Sequence, residues 1–350
     1  YMTPMDQPVP PRVSVIIVSW NALELLKQFL PGVVASNYPD IEVILADNAS
    51  DDGSDEWVRE HLPTVRIVRH DKNYAFCGGN NRAYHYATGE FVVFLNNDVE
   101  VDPDWLWPLV HLMQSDPDVA AVQPKVLSFH ERDRFEHAGA AGGFMDRHGY
   151  PFARGRIFSE TEPDAGQYDD PRPILWATGA AIMVRRAAVD AVGLFDENFV
   201  MHMEEIDLCW RFYRAEMKVM VEPRSVVYHV GAASLAESNP RKTYLNFRNN
   251  LLTLYKNLSP GAWRRTVLSR GILDTLAILR AAAVARPSVA MAIVRAYADA
   301  WRMRHQYSDQ RPDATTAGLL YRGSIVVDYF LLRRRVFTEL PARKMPSFGA

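Results

Sequence analysis

The sequence predicts an α/β protein whose sheet is doubly wound, Rossmann-like and mostly parallel, with a helical region at the C-terminal end. Short β-branched and apolar runs alternate with stretches of helical spacing over the first part of the chain. Three polar clusters, Ser19–Asn21, Asp47–Ser54 and Asn96–Asp98, each follow one of these runs. Because ligands bind beyond the carboxyl ends of the strands in such sheets, the clusters predict where a site lies.

The predicted strands are short apolar runs, and the predicted helices carry apolar residues every three or four positions. Strands are predicted over Arg12–Ser19, Ile41–Ala46, Val65–Arg69, Phe91–Leu95, Trp176–Val184 and Val219–Glu222. Helices are predicted over Ala22–Ser36, Ser54–His61, Asn80–Ala87, Ala187–Val192, Met203–Glu216, Lys242–Asn257, Arg264–Ala285, Pro287–Tyr307 and Ala317–Phe337. The loop-rich residues 128–172 form a stretch that a compact domain usually keeps for function.

The composition is typical of a globular protein, with 48% apolar and 23% charged residues among 350. We expect a disordered leader over 1–11, an α/β domain over 12–240 and a basic helical region over 241–350. The leader lacks the features of a signal peptide, and no apolar run reaches the ~20 residues of a membrane span. Two cysteines, Cys77 and Cys209, are too few for a disulfide framework, which favours a reducing, cytoplasmic compartment.

The charges are divided unequally between these two parts of the chain. Residues 241–350 hold 19 Lys and Arg against six Asp and Glu, a net charge of +13, so the first 240 residues carry −16. Such a tail indicates an anionic partner. Two interpretations stay open: the helices pack on the α/β domain or on a second subunit as a homodimer, or they lie on an anionic membrane surface at the inner face of the cytoplasmic membrane. No nucleic-acid-binding module is recognisable, so no nucleic acid partner is expected.

The first chemical motif is the turn after the fourth predicted strand, Leu95–Asp98. Asp98 places a carboxylate at the exposed end of a buried strand. There, Mg²⁺ or Mn²⁺ held by oxygen ligands can bridge the phosphates of a nucleotide and offset their charge. The alternative is a polar turn closed by Asn and Asp side chains.

The second motif is a group of acids, Glu204, Glu205 and Asp207, at the start of the predicted helix Met203–Glu216. One interpretation is helix capping, since the helix dipole favours acids at its N-terminus. The other is catalysis, because crowded carboxylates raise the pKa of one member and so suit it to act as a general base.

Two further motifs depend on their surroundings. His229 follows a predicted strand and is structural unless it faces the Asp98 turn, where it could complete a metal shell. Asn73–Arg82 contains Gly78 and Gly79 before two side-chain amides, which suits either a loop close against a ligand or a plain turn. It lacks the lysine and the spacing of a phosphate-binding loop.

Taken in order along the chain, the motifs resemble those of glycosyltransferase family 2, which has the GT-A fold. They are most similar to the rhamnosyltransferase-like members that build bacterial cell-surface polysaccharides. The resemblance extends from about Val13 to Asn257. The motifs that carry it are Ser14–Asn21, Asp47–Ser54, Asn73–Asn81, Leu95–Asp98, Thr178–Ala181, Val192–Glu197, Glu204–Arg211, His229 and Phe247–Asn250.

The resemblance implies a role for each matching residue. Contacts to the nucleotide would come from Ser19, Asn21, Asp47, Asn81 and Asn97. The metal, Mg²⁺ or Mn²⁺, would be held by Asp98 and His229; the motif of the family begins with an acid where this chain has Asn96, so one carboxylate is left. The catalytic base would be Glu205, where the family has Asp, with Glu204 as the alternative base. The acceptor would contact the strand that carries Trp176, Thr178 and Gly179.

The implied reaction is an inverting, metal-dependent transfer of a hexose from a nucleotide-diphosphate donor to a hydroxyl of a glycan or lipid-linked acceptor. Rhamnose from dTDP-rhamnose is the first expectation, and UDP donors of the galactose type are the next. Two alternatives stay open. A catalytically impaired nucleotide-sugar-binding module is conceivable because of Asn96 and Glu205. A sugar nucleotidyltransferase would need a loop rich in Gly and Lys or Arg after the first strand, where this chain has Ser19–Asn21.

Overall fold

The computed structural model describes residues 10–231, 239–314 and 318–348. Residues 1–9, most of the predicted leader, lie outside the described residues. The strands are β1 (Val13–Ser19), β2 (Ile41–Asp47), β3 (Arg66–Arg69), β4 (Phe91–Asn96), β5 (Val99–Val101), β6 (Val119–Ser128), β7 (Gly143–Met145), β8 (Pro151–Ala153), β9 (Arg156–Ile157), β10 (Glu160–Thr161), β11 (Arg172–Pro173), β12 (Ala181–Arg185) and β13 (Lys218–His229). The α-helices are α1 (Leu23–Val34), α2 (Ser54–His61), α3 (Ala75–Tyr84), α4 (Leu106–Ser115), α5 (Arg186–Val192), α6 (Glu204–Arg214), α7 (Pro240–Asn257), α8 (Pro260–Ala283), α9 (Pro287–Met303) and α10 (Ile325–Phe330).

The larger sheet has the strand order β11-β13-β6-β12-β4-β1-β2-β3, and β5 pairs with β13 beside it. Strands β4, β1, β2 and β3 are parallel neighbours, as the sequence predicts. Strand β12 lies antiparallel between β4 and β6, while β13 runs parallel to β6. The predicted α/β class and the C-terminal helices are confirmed. The sheet is mixed because β12 pairs antiparallel with β4, and β5 and β11 pair antiparallel with β13.

The parallel strands are buried on both faces, which explains their continuous apolar sequences. In β1, Ile16 packs into one apolar cluster with residues of α3 and α6, while Val15 and Ile17 pack into a second cluster with residues of α1, α2 and α4. This alternation is the period of two that a strand imposes on its side chains. Helices therefore cover both faces, and only the ends of the strands stay free to carry a site.

Several predicted elements differ in extent from those observed. Helix α3 begins at Ala75, before the predicted Asn80, so the predicted loop Asn73–Arg82 is largely helical. Gly79 permits this, since a Cβ there would lie 3.0 Å from both Asn48 Nδ2 and Val18 Cγ1 at the strand ends. The chain therefore approaches the strand ends more closely there than a larger residue would allow.

The strand predicted over Trp176–Val184 begins only at Ala181, because Trp176 makes a single bridge to Gly143 instead. The strand predicted over Val219–Glu222 lies near the start of the longer β13. Strand β6 and helix α4 were not predicted from the sequence. In β6, Pro124 interrupts the apolar pattern, and it is accommodated opposite an irregularity in β13.

A small antiparallel sheet, β10-β9-β8-β7, occupies part of the predicted loop-rich stretch. The C-terminal segment packs back onto it: the Phe337 ring contacts the rings of Phe144 and Phe152. The helix predicted over Ala317–Phe337 is wrong, apart from α10, and Ala317 itself lies outside the described residues. The physical reason is pairing with this sheet, since the Tyr321 amide donates to the Met145 carbonyl instead of continuing a helix.

The three long C-terminal helices, α7, α8 and α9, pack on one another and on α6. Helix α7 packs against α6 and α9, and α8 packs against α9. These agree with the helices predicted over Lys242–Asn257, Arg264–Ala285 and Pro287–Tyr307. Within the ranges that the structure covers, no helix is long and apolar enough to cross a membrane.

The contact between β7 and Trp176 gives a stability prediction. A Cβ at Gly143 would overlap the Trp176 indole, which is only 4% exposed and cannot move away. We expect Gly143→Ala to lower the free energy of unfolding by about 1–3 kcal/mol or more, as overpacking does. Gly271→Ala is the matched control: nothing lies within 4 Å of its Cβ, and alanine favours a helix by up to about 1 kcal/mol. Urea unfolding measures both, and equal stabilities of the two variants would contradict this account of the core.

Candidate active site

The predicted polar clusters meet at the carboxyl edge of the parallel strands. The register pairs Ser19 with Asp47 and places Asn96 beside Val18. The Asn97 amide then donates to Ser19 Oγ at 3.0 Å, which ties the ends of β4 and β1 together. The structure therefore brings together three of the residues that the resemblance assigned to the nucleotide, Ser19, Asp47 and Asn97.

The loop after β2 is organised by its own side chains. Asp47 Oδ1 accepts a hydrogen bond from the Ser50 amide at 3.1 Å, and Asp47 Oδ2 lies 3.3 Å from an Arg69 guanidinium nitrogen. Asn21 belongs to the same loop cluster, because its Oδ1 accepts from the Asp51 amide at 2.9 Å. Arg69 was not singled out from the sequence. Its position at the end of β3, directly opposite Asp47 in the register, is the signal that could have found it.

Asn81 lies farther along α3 and faces another partner. Its amide donates to the Phe195 carbonyl at 2.8 Å, while its Oδ1 is buried without a hydrogen-bond partner among the described residues. Asn81 lies in a helix, as predicted for Asn80–Ala87, and its amide nitrogen binds the segment after α5. Only the carbonyl oxygen of the side chain is free to accept from a ligand.

Asp98 and His229 form a second group of side chains at the same edge of the sheet. Strand β5 pairs antiparallel with β13 so that Val99 lies opposite His229. Asp98 directly precedes β5, and its Oδ1 consequently lies 3.1 Å from His229 Nε2, with both side chains buried. The Asn96 amide is 3.3 Å from the same ring nitrogen. The condition that the sequence left open, that His229 faces the Asp98 turn, is met.

Glu136 completes this group and was missed from the sequence. Its Oε2 lies 3.1 Å from His229 Nδ1, so the imidazole sits between two carboxylates. Burial alone lowers the pKa of His229, but the hydrogen bonds to Asp98 and Glu136 outweigh burial and raise it to about 10. Glu136 lies in the loop after β6, a strand that was not predicted, so no pattern in the sequence connected it to His229.

The acids at the start of α6 follow a turn with unusual backbone angles. Val200, His202 and Met203 have φ of 69°, 70° and 72°, a left-handed conformation that costs free energy in residues with a Cβ. Asn249 of α7, fully buried, holds this turn: its Nδ2 donates to the carbonyls of Phe199, Met201 and His202 at 2.8–2.9 Å. Helix α7 thereby fixes where α6 begins.

Glu204 and Glu205 emerge directly from this turn. One carboxylate oxygen of each is buried without a hydrogen-bond partner among the described residues, as is His202 Nε2. Burial raises the pKa of Glu205 to about 7, and burial together with the charge of Glu205 raises the pKa of Glu204 well above its usual value. Burial lowers the pKa of His202 to about 4. A neutral imidazole and two carboxylates with open hydrogen-bonding positions are what a ligand with hydroxyl groups requires.

Asp207, the third acid of this cluster, is part of the scaffold. Its carboxylate accepts from Lys256 at 2.9 Å, from Arg211 at 3.0 Å and from Asn257 at 3.0 Å. Burial opposes ionisation, but these two cations and the hydrogen bonds lower the pKa of Asp207 below its ordinary value. Since every donor around it belongs to α6 or α7, Asp207 joins the two helices and is not free to act as a base.

The predicted acceptor residues lie between the Asp98–His229 pair and the Glu204–Glu205 pair. The Ala180 carbonyl accepts from the Asn96 amide at 2.9 Å, and a Cβ on Gly179 would lie 3.8 Å from Glu204 Oε1. Thr178 is buried, and its amide donates to Gln123 Oε1 at 2.9 Å. The Trp176 indole is buried and donates to the Phe144 carbonyl at 2.8 Å. Gly179 therefore borders the site, while Thr178 and Trp176 support it from beneath.

The hold of Asn249 on the turn gives a second prediction. Asn249→Ala removes the side-chain donor from the carbonyls of Met201 and His202, while the Phe199 carbonyl keeps the Met201 amide as a donor. We therefore expect a loss of about 2–4 kcal/mol in the free energy of unfolding and faster amide exchange over residues 200–206. Asn37→Ala, which removes one exposed hydrogen bond to Asp104, is the control and should cost less than about 1 kcal/mol. Urea unfolding and hydrogen exchange measure the two effects. Unchanged exchange in the turn would show that Asn249 does not hold it.

The profile of the family described as "Glycosyl transferase family 2" matches residues 14–193. The chain is 32% identical over 241 residues to the O-antigen biosynthesis protein RfbC of Myxococcus xanthus, which covers 67% of this chain and 18% of that protein. It is 25% identical over 275 residues to the N-acetylglucosaminyl-diphospho-decaprenol L-rhamnosyltransferase of Mycobacterium tuberculosis, which covers 72% of this chain and 86% of that protein. The chain thus spans less than a fifth of the first of these relatives.

Among solved structures, the fold is similar to that of GalNAc-T7 with UDP, GalNAc and Mn²⁺. The TM-score is 0.57 at 16% sequence identity, over 75% of this chain and 50% of that one. At this level of identity the similarity concerns the fold, which is that of the GT-A glycosyltransferases.

Proposed function

Since this chain belongs to glycosyl transferase family 2, a family of transferase enzymes, we propose that it moves a sugar with inversion from a nucleoside diphosphate to an acceptor hydroxyl. One observation carries the proposal. The Asp98–His229 pair and the Glu204–Glu205 pair lie on either side of the short segment Thr178–Ala180, at the edge of the sheet where α/β proteins bind ligands. The Asp98–His229 pair suits a diphosphate, and the Glu204–Glu205 pair suits a hydroxyl.

The donor nucleoside is assigned to the first three strand ends. Asp47 Oδ2 has no hydrogen-bond donor with good geometry among the described residues, although Arg69 balances its charge. It can therefore accept from a base or a ribose hydroxyl. Ser19, Asn21 and Asn97 supply hydroxyl and amide groups around it, and Asn81 can offer only its side-chain oxygen.

A divalent cation, Mg²⁺ or Mn²⁺, fits at Asp98 if the protein and the diphosphate share its ligation. No group of three or more His, Cys, Asp and Glu side chains in the described ranges is arranged to cage a metal. Asp98 and His229 would supply a carboxylate and an imidazole, and the cation would take the place of the proton that His229 carries when no metal is bound. Phosphate oxygens and water would supply the rest, as is common for Mg²⁺. When bound, the cation offsets the charge of the diphosphate. Glu136 would orient His229 through Nδ1, as carboxylates beside metal-ligating histidines do.

The chemical step is assigned to the start of α6. Glu205 takes the proton of the acceptor hydroxyl, whose oxygen attacks the anomeric carbon as the bond to the diphosphate breaks on the opposite face. A pKa of about 7 leaves Glu205 ionised enough to serve and basic enough to take the proton. Glu204 is the alternative base; burial and the neighbouring charge of Glu205 raise its pKa well above the usual value.

Rhamnose from dTDP-rhamnose is the proposed donor sugar, and a glycan or lipid-linked glycan is the proposed acceptor. The donor sugar is supported by the similarity to a protein named as an L-rhamnosyltransferase. The glycan acceptor is supported by the similarity to a protein named for O-antigen biosynthesis. A UDP donor is the next candidate. The second function, donor binding without turnover, is favoured by Asn96 in place of an acid beside Asp98.

A donor screen tests the proposed function. The purified chain is incubated with dTDP-rhamnose and with UDP- and GDP-sugars, with Mg²⁺ or Mn²⁺ and with or without a lipid-linked glycan acceptor, and nucleoside diphosphate release is measured. We expect release from one donor, reduced about 10²–10⁴-fold in Glu205→Gln, as for loss of a general base. Glu216→Gln, just after the end of the same helix, is the control and should match the wild type.

The pH profile separates the base from a merely structural acid. Because the pKa of Glu205 is raised and the carboxylate must be ionised to accept a proton, turnover should fall as the pH drops through about 7. In Glu205→Gln, this fall in turnover at low pH should be absent. Donor binding without any release would favour the impaired module, and neither binding nor release would overturn the proposed function.

The orienting role of Glu136 gives a metal-binding prediction. Glu136→Gln keeps the shape of the side chain but removes its charge beside His229, and we expect Mn²⁺ affinity in the presence of a nucleoside diphosphate to fall about 10–100-fold. Glu131→Gln, an exposed acid in the same loop, should leave it unchanged. Isothermal titration of Mn²⁺ measures both. Equal affinities in the two variants would place the cation away from His229.

A further inference from the structure

Helix α8 exposes a row of large apolar side chains. Leu268, Ile272, Leu276 and Leu279 are each exposed by 59% or more. Their spacing places them in one stripe along the helix. Phe330, Leu331 and Leu332 are exposed by 51–74%, and they lie near this helix because the Arg280 guanidinium is 5.8 Å from the Phe330 ring. We call these seven side chains the apolar ridge.

The charges around the apolar ridge are almost all positive. From Pro260 to Met303 the sequence holds seven arginines and two acids, Asp274 and Asp299. Asp274 is buried on Arg270, and Asp299 lies between two arginines of α9. Four exposed arginines have no acidic partner within 4.0 Å among the described residues: Arg264, Arg265, Arg280 and Arg286. Between Pro260 and Met303, the surface therefore combines unpaired cations with exposed apolar groups, and both acids of this range have an arginine partner.

This charge pattern decides which occupant fits. A symmetric dimer through the apolar ridge would bring the same arginines of two copies together without acids to meet them. A nucleic acid would meet the arginines but leave the leucines exposed. An anionic bilayer satisfies both groups, since its headgroups carry phosphate and its interface accepts apolar side chains.

We propose that the apolar ridge and its arginines form a docking surface for an anionic phospholipid membrane, with α8 lying in the plane of the interface. The proposal goes beyond sugar transfer and does not depend on it. Docking would act close to the site, because Arg270 of α8 donates to Asn250 Oδ1 at 2.7 Å, next to the Asn249 that holds the α6 turn. A lipid-borne acceptor could then be met at the membrane surface.

Vesicle flotation tests the apolar part of the surface. The chain is mixed with phosphatidylcholine vesicles that contain or lack phosphatidylglycerol, and the floated fraction is measured. We expect binding to the anionic vesicles, reduced about ten-fold or more in Leu276→Ser/Leu279→Ser and in Leu331→Ser/Leu332→Ser. Tyr86→Ser, which removes an exposed aromatic ring elsewhere, is the control and should bind as the wild type does. Unchanged melting temperatures verify that each variant is folded.

A charge reversal tests the arginines. Arg264→Glu/Arg265→Glu should abolish the preference for phosphatidylglycerol, whereas Lys27→Glu/Arg66→Glu, with the same change in net charge on the α/β domain, should retain it. Binding should also weaken with added salt, because screening shortens the reach of exposed charges. Equal binding of all variants, or no binding by the wild type, would overturn the proposal.

The mass of the protein in solution tests whether a second copy of the chain, and not a membrane, covers the apolar ridge. Light scattering should give a monomer mass for the wild type and for Leu276→Ser/Leu279→Ser. A dimer that the double substitution dissociates would show that a second copy covers the apolar ridge, and the membrane proposal would then be wrong. Because none of these measurements uses a sugar donor, their outcome is independent of the proposed function.

Discussion

The structure depends on one buried carboxylate, that of Asp207, and on the cations that keep it ionised. Lys256 and Arg211 both reach it, and Lys256 also binds Asp196 at 2.9 Å in the segment before the α6 turn. An unpaired charge at this depth would be strongly destabilising, so α6 and α7 must stay together. With α7 fixed, Asn249 can hold the left-handed turn, and the turn sets the direction in which Glu204 and Glu205 leave the backbone.

The second constraint is the register of β5 on β13. It places Asp98 against His229, although 130 residues separate them in the sequence, roughly a third of the chain. Strand β12 then inserts between β4 and β6, and its preceding segment Thr178–Ala180 connects the Asp98–His229 pair to α6. The Asp98–His229 pair and the Glu204–Glu205 pair are thus built from different parts of the fold, and the proposed transfer would use both at once.

The basic C-terminal helices have two faces with different roles. The inner face consists of α7 and the buried part of α8, where Arg248 and Arg270 form hydrogen bonds with neighbouring helices and loops. The outer face holds the apolar ridge and the unpaired arginines. The net charge of +13 over residues 241–350 counts the buried arginines of the inner face together with the exposed arginines of the outer face. It therefore overstates the charge available to a partner. Only the tertiary structure separates arginines used for folding from those left for binding.

The sequence by itself determined the parallel strands, the position of Ser19, Asp47 and Asn97 at one edge, and the family, because local periodicity and short ordered motifs depend on neighbouring residues alone. It also suggested the pairing of His229 with Asp98, through the resemblance. The tertiary structure decided that Glu136 joins His229, that the Asn81 amide binds the Phe195 carbonyl, and that Asp207 is scaffold rather than base. It also decided that Tyr321 forms a bridge to Asp146, directly after β7, where the sequence predicted a helix. Those outcomes depend on contacts between distant segments, whose burial and register no local pattern specifies.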